Sequence, residues 1–151
     1  MPEPAVDIRP LASADRASWE PLWLGYQAFY KVQLGPAVTD LTWRRFMDPA
    51  EPMFALGAFD RDRLVGIVHY IFHRSAWLIG PTCYLQDLFT ESDQRGKGVG
   101  RALIEAVYRE AAKAGAGRVY WLTHESNAPG RLLYDKVAEN AGFIQYRKAI
   151  G

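Results

Sequence analysis

Cysteine is almost absent from this sequence, since Cys83 is the only one in 151 residues. A single thiol excludes an intramolecular disulfide framework and a zinc site built on paired cysteines. Long hydrophobic runs are also missing, because no stretch approaches the eighteen or so apolar residues that a transmembrane helix needs. The N-terminal segment, with Pro2, Glu3, Pro4 and Asp7, has no secretory apolar region. We therefore expect a soluble cytoplasmic protein with no membrane partner.

An excess of charge of one sign is lacking too. The chain has 18 Lys and Arg against 17 Asp and Glu, for a formal net charge of +1. The chain has no large positive net charge that would favour binding to nucleic acid, so any anion-binding site must arise from a local cluster of residues. Internal repeats, low-complexity tracts and linkers are also absent. We expect a single domain over residues 1–151, with no nucleic-acid partner.

The hydrophobic patterning predicts a mixed α/β chain. Helices are predicted over Ser13–Tyr30, from Thr39 or Asp40 to Asp48, and over Gly98–Ala114 and Asn127–Ala141. Strands are predicted over Val6–Arg9, Met53–Phe59, Leu64–His73, Thr82–Thr90, Arg118–Thr123 and Phe143–Ile150. Antiparallel strands come first, and a strand–helix–strand–helix–strand order follows. This order indicates an α/β (α+β) fold with a mixed central sheet covered by helices.

The clearest chemical signal is the segment Gln94-Arg95-Gly96-Lys97-Gly98-Val99-Gly100-Arg101 between a predicted strand and a predicted helix. Glycines let successive backbone N–H groups turn inward. The first N–H groups of a helix have no internal acceptor and lie at the positive end of its dipole. Such a site binds phosphate, and the three cations add positive charge around it. The alternative is a glycine-rich turn with solvated charges.

Two other phosphate motifs are excluded by spacing. A P-loop requires Ser or Thr directly after its Gly-Lys pair, and here Gly98 follows Lys97. A dinucleotide fingerprint that starts at Gly96 requires Gly or Ala at position 101, where Arg101 stands. The segment must therefore bind phosphate in another way.

The segment Arg95-x-x-Gly98-x-Gly100 resembles the pyrophosphate-binding motif of the GNAT (GCN5-related N-acetyltransferase) superfamily. The preceding Tyr84–Thr90 resembles the strand beside the cofactor in that family. Asn127-x-x-Gly130-x-x-Leu133-Tyr134, followed by Gly142-Phe143, resembles the family's next helix and what comes after it. The amino-acid sequence of these segments is most similar to the branch of the family named for yeast histone and polyamine acetyltransferases.

This resemblance implies a GNAT fold of about six to seven strands with a splayed parallel pair and about four helices. It also implies direct transfer of an acetyl group from acetyl-CoA to a primary amine of a small molecule or peptide, with no metal and with a homodimer as the common assembly. The implied cofactor-binding residues are Leu88, Phe89, Thr90, Arg95, Gly96, Lys97, Gly98, Val99, Gly100, Arg101, Asn127, Arg131 and Tyr134. Among them the Leu88 amide would polarise the thioester carbonyl, and Tyr134 would face the sulfur. Arg131 would reach a phosphate or lie on a solvated face.

The reaction needs a group that accepts a proton. A lysine-like amine has a pKa of about 10.4, so freeing it at pH 7 costs roughly 4–5 kcal/mol. A thiolate with a pKa of about 8.5 leaves, and a phenol with a pKa of about 10 can protonate it. Related diamine acetyltransferases often carry Glu where this chain has Gln86, which cannot accept a proton. Asp87 is then the favoured base, although a structural carboxylate is equally consistent, and His124 and Glu125 also remain.

The other prominent side chains have less specific interpretations. Tyr26 and Tyr30 belong to an aromatic stripe that is mostly core, but they could contact an amine by cation–π attraction. His69 and His73 lie roughly 13 Å apart on one strand and cannot share a metal. Cys83 is expected to be a buried structural thiol.

Two alternatives from other functional classes stay open. A non-catalytic acyl-CoA-binding domain would be unaffected by Tyr134→Phe. A phosphate- or nucleic-acid-binding module would bind oligonucleotides with steep salt dependence.

Overall fold

The computed structural model describes residues 6–151, and these contain one five-stranded sheet in the order β1-β2-β3-β4-β5. The strands are β1 (Asp7–Pro10), β2 (Met53–Asp60), β3 (Arg63–His73), β4 (Thr82–Thr90) and β5 (Arg118–Tyr120). The first four pair antiparallel, whereas β4 and β5 pair parallel. The predicted mixed α/β fold is confirmed. The sheet has fewer strands than the six to seven expected, because residues 138–151 form neither helix nor strand where Phe143–Ile150 was predicted as a strand.

Four α-helices accompany the sheet in the described residues. They are α1 (Arg16–Phe29), α2 (Pro36–Met47), α3 (Val99–Lys113) and α4 (Ala128–Val137). The predicted start of α2 is wrong by three to four residues, since Pro36 occupies the first helical turn and Gly35 precedes it. The predicted end of α4 is also too late. Ala138 is extended, and Asn140 accepts a hydrogen bond from the Gly142 amide (2.9 Å), which favours a turn over another helical turn.

Helices cover β3 on both faces. Ile67 packs in a buried cluster with Trp19, Trp23 and Trp43 of α1 and α2. The neighbouring Gly66 points to the opposite face, where a Cβ would meet side chains of α3 at 2.9 and 3.1 Å. Both faces of this strand are therefore buried under helices, as its largely apolar sequence allows.

The chain forms two compact units, one up to Trp121 and the other Leu122–Gly151. The second unit contains α4 and the irregular residues 138–151, whose large apolar side chains are exposed. These are Phe143, Ile144, Tyr146 and Ile150. No helix within residues 6–151 is long and apolar enough to cross a bilayer.

Candidate active site

A bulge in β4 separates its two halves. His69 of β3 pairs with Asp87, but the next residue, Tyr70, pairs with Leu85, so Gln86 is left without a partner on β3. The parallel pairing of β4 with β5 covers only Thr82–Tyr84. The two parallel strands therefore pair on one side of the bulge only, as the resemblance implied. Beyond it, the backbone of Leu88 and Phe89 has no described strand partner on the β5 side.

The loop before α3 presents a row of unpaired backbone donors. Gly96 (φ +78°) and Gly98 (φ +85°) adopt left-handed conformations that glycine permits. Within residues 6–151, no hydrogen bond is described for the amide N–H of any residue from 96 to 101, and the first helical bond is from the Ala102 amide to the Gly98 carbonyl (3.0 Å). No side chain caps the helix. This start of α3 has the form of an anion site.

The three cations of this loop differ in their contacts. Arg95 Nε donates to the Thr90 carbonyl (3.1 Å), and its guanidinium lies 5.8 Å from the ring of Phe29 and 5.4 Å from that of Phe89. Arg95 thus ties the loop to the end of β4. Arg101 pairs with a glutamate one helical turn away on the exposed face of α3. Lys97 is exposed, with no ion pair described.

A buried hydrogen-bonded chain leads to the predicted base. Trp19 Nε1 donates to His69 Nε2 (3.0 Å), and His69 Nδ1 lies 2.9 Å from Asp87 Oδ2. His69 is only 1% exposed and Asp87 only 8%. Burial, the Asp87 charge and a hydrogen bond to Asp87 raise the pKa of Tyr26 far above its ordinary value, so this hydroxyl stays protonated.

Asp87 opens on a cleft of about 290 Å³ between the first two helices and the sheet. The cleft is lined by Trp23, Leu34, Val38, Thr42, Arg45, Phe46, Met53, His69, Ile71, Gln86 and Asp87. Its charged side chains are Asp87 and the exposed Arg45, for which no ion pair is described. Trp23 keeps its buried indole N–H without a partner in the described part of the chain. A larger cleft of about 360 Å³, beside α3, contains no predicted site residue.

The predicted substrate contacts Tyr26 and Tyr30 do not line this cleft. Their rings lie 4.9 Å apart, and Tyr26 stacks on Trp23 at 5.5 Å. Tyr26 is coupled to the site electrostatically, because the charge of Asp87 contributes to the rise in the pKa of Tyr26. Direct contact of either tyrosine with an amine stays a prediction.

The second unit carries the remaining predicted site residues, which are His124, Asn127, Arg131 and Tyr134. Asn127 caps α4, since its Oδ1 accepts from the Gly130 amide (3.3 Å) and its Nδ2 donates to Thr123 Oγ1 (2.9 Å). A Cβ at Gly130 would lie 2.5 Å from Asn127 Nδ2, so the glycine makes room for this cap. Arg131 donates to the Glu125 carbonyl (2.8 Å). The roles of Asn127, Arg131 and Tyr134 towards a cofactor, and of His124 towards the acceptor substrate, stay predictions.

The remaining candidates have structural partners. Burial raises the pKa of the Cys83 thiol to about 12, and the buried structural thiol predicted there is confirmed. His73 lies 2.8 Å from the Tyr120 hydroxyl and 2.7 Å from the carbonyl of Arg74. In the described part of the chain no group of three or more His, Cys, Asp or Glu could hold a metal.

Sequence reasoning missed His69 as a site residue. Its position opposite Asp87 depends on the register between β3 and β4, and a bulge sets that register. The available signal was a histidine in an otherwise apolar strand, next in the predicted order to the strand that carries the carboxylate. That signal identifies neither the pairing nor the buried indole that contacts His69.

Comparison with known proteins gives one consistent result. The acetyltransferase (GNAT) family matches residues 16–138. A D-amino-acid N-acetyltransferase of Saccharomyces cerevisiae is 37% identical over 143 residues, which cover 93% of this chain and 89% of that protein. A solved ribosomal-protein-alanine N-acetyltransferase of Brucella melitensis has a TM-score of 0.82 at 25% identity, covering 97% of this chain and all of the other. AAC(6')-Iy, solved with a CoA-based bisubstrate analogue, has a TM-score of 0.83 at 18% identity, covering 96% and 99% of the two chains.

Proposed function

Because the chain belongs to the GNAT acetyltransferase family, it is an acetyltransferase, and we propose that it transfers the acetyl group of acetyl-CoA to the α-amine of an amino acid. The cleft beside Asp87 is the acceptor site in this proposal, and the loop before α3 is the cofactor site. The observation that carries it is the presence of one carboxylate and one arginine, Asp87 and Arg45, in a cleft of about 290 Å³. These two charges are complementary to an ammonium group and a carboxylate.

Acetyl-CoA is the group donor used across this family, and it supplies an activated acetyl thioester. The residues at the start of α3 fit its diphosphate, because the backbone N–H groups from Gly96 to Arg101 have no described acceptor. The exposed side chain of Lys97 adds a positive charge that no described ion pair neutralises. In β4, the backbone beyond the bulge at Gln86 is available to the pantetheine arm, and we assign the Leu88 amide to the thioester oxygen.

Proton transfer is assigned to two side chains. Asp87 binds the ammonium form of the acceptor and takes its proton, so that the neutral nitrogen attacks the carbonyl carbon. The new C–N bond forms as the C–S bond breaks. The hydroxyl of Tyr134 protonates the departing thiolate, a role that rests on the family resemblance. The attacking nitrogen loses its second proton to solvent as the amide forms, and Tyr134 regains a proton from solvent. No covalent enzyme intermediate is needed.

The acceptor class is supported from two directions. The yeast relative carries D-amino-acid N-acetyltransferase as its name, and its similarity covers 93% of this chain. Independently, Arg45 lies on the same cleft as Asp87 and can bind a carboxylate in a bidentate manner. An amino acid presents both an ammonium group and a carboxylate within one small molecule. A simple diamine would leave Arg45 facing a second positive charge.

A thiol-release assay tests this proposal. We expect acetyl-CoA turnover with free amino acids of either hand, and at least about tenfold weaker kcat/KM for their methyl esters, which keep the amine but lose the carboxylate. Arg45→Gln should remove this preference. Arg44→Gln, a neighbouring exposed arginine outside the cleft, is the matched control and should keep it. Equal rates with acid and ester would refute the amino-acid assignment, and no turnover with any amine would refute the proposed acetyl acceptor altogether.

We also propose that the protein forms a homodimer. Phe143, Ile144, Tyr146 and Ile150 of the second unit are between 76% and 89% exposed, which is unusual for so many large apolar side chains in one segment. Light scattering should give a mass near twice the chain's 17.0 kDa. A mass of one chain at assay concentration would contradict this.

The cytoplasmic location stays a prediction.

A further inference from the structure

Trp19 determines which ring nitrogen of His69 carries the proton. The indole Nε1 of Trp19 lies 3.0 Å from His69 Nε2, and an indole N–H can only donate. His69 Nε2 must therefore be the acceptor, which puts the proton of the neutral ring on Nδ1. Nδ1 lies 2.9 Å from Asp87 Oδ2 and donates to it. The direction of both hydrogen bonds is thus fixed by the donor-only indole.

The surroundings of the His69 ring hold this arrangement in place. Its centroid lies 4.5 Å from the ring of Phe46, 5.2 Å from that of Trp23 and 6.0 Å from that of Trp19. The residue is 1% exposed, so the ring has no space in which to turn over. A second proton on Nε2 would oppose the indole N–H and break that bond. His69 is therefore built to donate to Asp87 and not to take a proton from a substrate.

We propose that His69 is a positioning residue for Asp87, which it holds as a hydrogen-bonded carboxylate aimed at the acceptor cleft, with Trp19 fixing the required tautomer. The inference rests on the function proposed above, in which Asp87 receives the proton of the acceptor amine. During the reaction that proton moves from the substrate nitrogen to an Asp87 oxygen. His69 keeps its own proton throughout, and Trp19 keeps its indole N–H.

Few other titratable or charged groups face this pair in the described residues. They are Tyr26 on α1, Arg45 on α2 and Tyr84 on β4, and Tyr30, which follows α1, acts on Tyr26. Burial, followed by the charge of Asp87, raises the pKa of both Tyr26 and Tyr84, so these hydroxyls stay protonated near neutral pH. A change in the acidic limb of the pH profile therefore reports on the His69–Asp87 pair.

Kinetics of three variants test the role of His69. His69→Leu removes the donor, and we expect kcat to fall by about tenfold or more while the KM for acetyl-CoA is unchanged. The acidic limb of the kcat profile should move to higher pH, because the carboxylate loses a hydrogen bond that favours its charged form. His69→Asn replaces the ring Nδ1–H with an amide N–H. It should recover most of the lost rate, and Trp19→Phe should lower kcat less than His69→Leu.

The tautomer is measured separately, without turnover. Nitrogen chemical shifts of His69 in the wild-type protein should identify the Nδ1–H form, and Trp19→Phe should allow a mixture of both tautomers. An Nε2–H form in the wild type overturns the proposal. So does a folded His69→Leu protein with wild-type kcat and pH profile, or a His69→Asn protein no faster than His69→Leu. If the wild-type protein acetylates no amine, the proposed function fails instead, and the tautomer result separates the two outcomes.

Discussion

At the scale of single residues, Asp87 is supported by His69 and Trp19, which lie far from it in sequence. Asp87 could be selected because Gln86 cannot accept a proton and the next residue can. His69, in contrast, was interpretable only as a core histidine, since its importance arises from a partner 18 positions away in sequence. Trp19 lies 50 positions from His69, and nothing in the sequence indicates their contact. Side chains that act through other side chains leave no local pattern for sequence reasoning to use.

Tyr134 provides a test at this scale. Tyr134→Phe removes one hydroxyl, and we expect turnover to fall by about a hundredfold because the departing thiolate loses its proton donor. CoA affinity, measured by calorimetry, should change far less. Tyr146→Phe, at a position 89% exposed, keeps the apolar ring of the proposed dimer surface and removes only a hydroxyl, so as the control it should behave as wild type. Unchanged turnover of Tyr134→Phe at every pH would remove the acid role.

At the scale of secondary-structure elements, prediction succeeded where local signals were strong. The bounds of β4 agree at both ends, and α3 agrees within one residue because its glycines mark the start and Gly115 the end. The predicted last strand, Phe143–Ile150, fails despite suitable residues, because strand formation needs a partner that the sequence pattern cannot specify. Likewise, α4 ends at Val137 and none of its residues is buried, so burial of an apolar face does not stabilise a longer helix.

The start of α3 can be tested with a matched pair of variants. Gly98 has φ +85°, a conformation that Asn and Asp tolerate better than other residues with a side chain. Gly98→Asp should weaken CoA binding by about tenfold or more relative to Gly98→Asn, because only the former places a negative charge beside the diphosphate. Calorimetry with CoA measures both. Equal affinities would show that no anion binds at this helix start.

The contact between α1 and β4 gives a stability prediction. A Cβ at Gly25 would lie 2.8 Å from Phe89 Cζ, so Gly25→Ala must displace the ring. We expect the free energy of unfolding to fall by about 1–3 kcal/mol, although alanine is intrinsically the better helix former. Urea unfolding measures it, and in a Phe89→Leu background the loss should be smaller. A more stable Gly25→Ala protein would contradict the close approach.

At the scale of the whole molecule, the two compact units divide the predicted site residues between them. The first unit holds the buried chain to Asp87, the cleft and the loop before α3, whereas Asn127, Arg131 and Tyr134 belong to the second. The family match over residues 16–138 includes parts of both units. The sequence motifs run through both units in chain order, so they carry no sign of this division.

The response of overall stability to alkali follows from Cys83. Its folded pKa is raised to about 12 from an ordinary value of 9.0, so the folded protein retains a proton that the unfolded chain releases above pH 9.0. The stabilisation is full below pH 9.0 and is lost as the pH approaches 12. We expect the loss to be at most about 1.4 kcal/mol per pH unit. Urea unfolding between these limits should show a shallower decline for Cys83→Ala, and parallel curves would contradict the shift.

The bulge at Gln86 also changes which face of the sheet the later side chains of β4 occupy. Paired residues in an antiparallel ladder share a face, so Leu85 lies on the α3 side with Tyr70, whereas Asp87 lies on the cleft side with His69. Regular alternation would have put residues 85 and 87 on the same side. With Gln86 present but no bulge, regular alternation would direct the Asp87 carboxylate into the apolar layer under α3 and the Leu88 side chain towards the incoming amine. The bulge thus determines whether this strand carries chemistry or only packing.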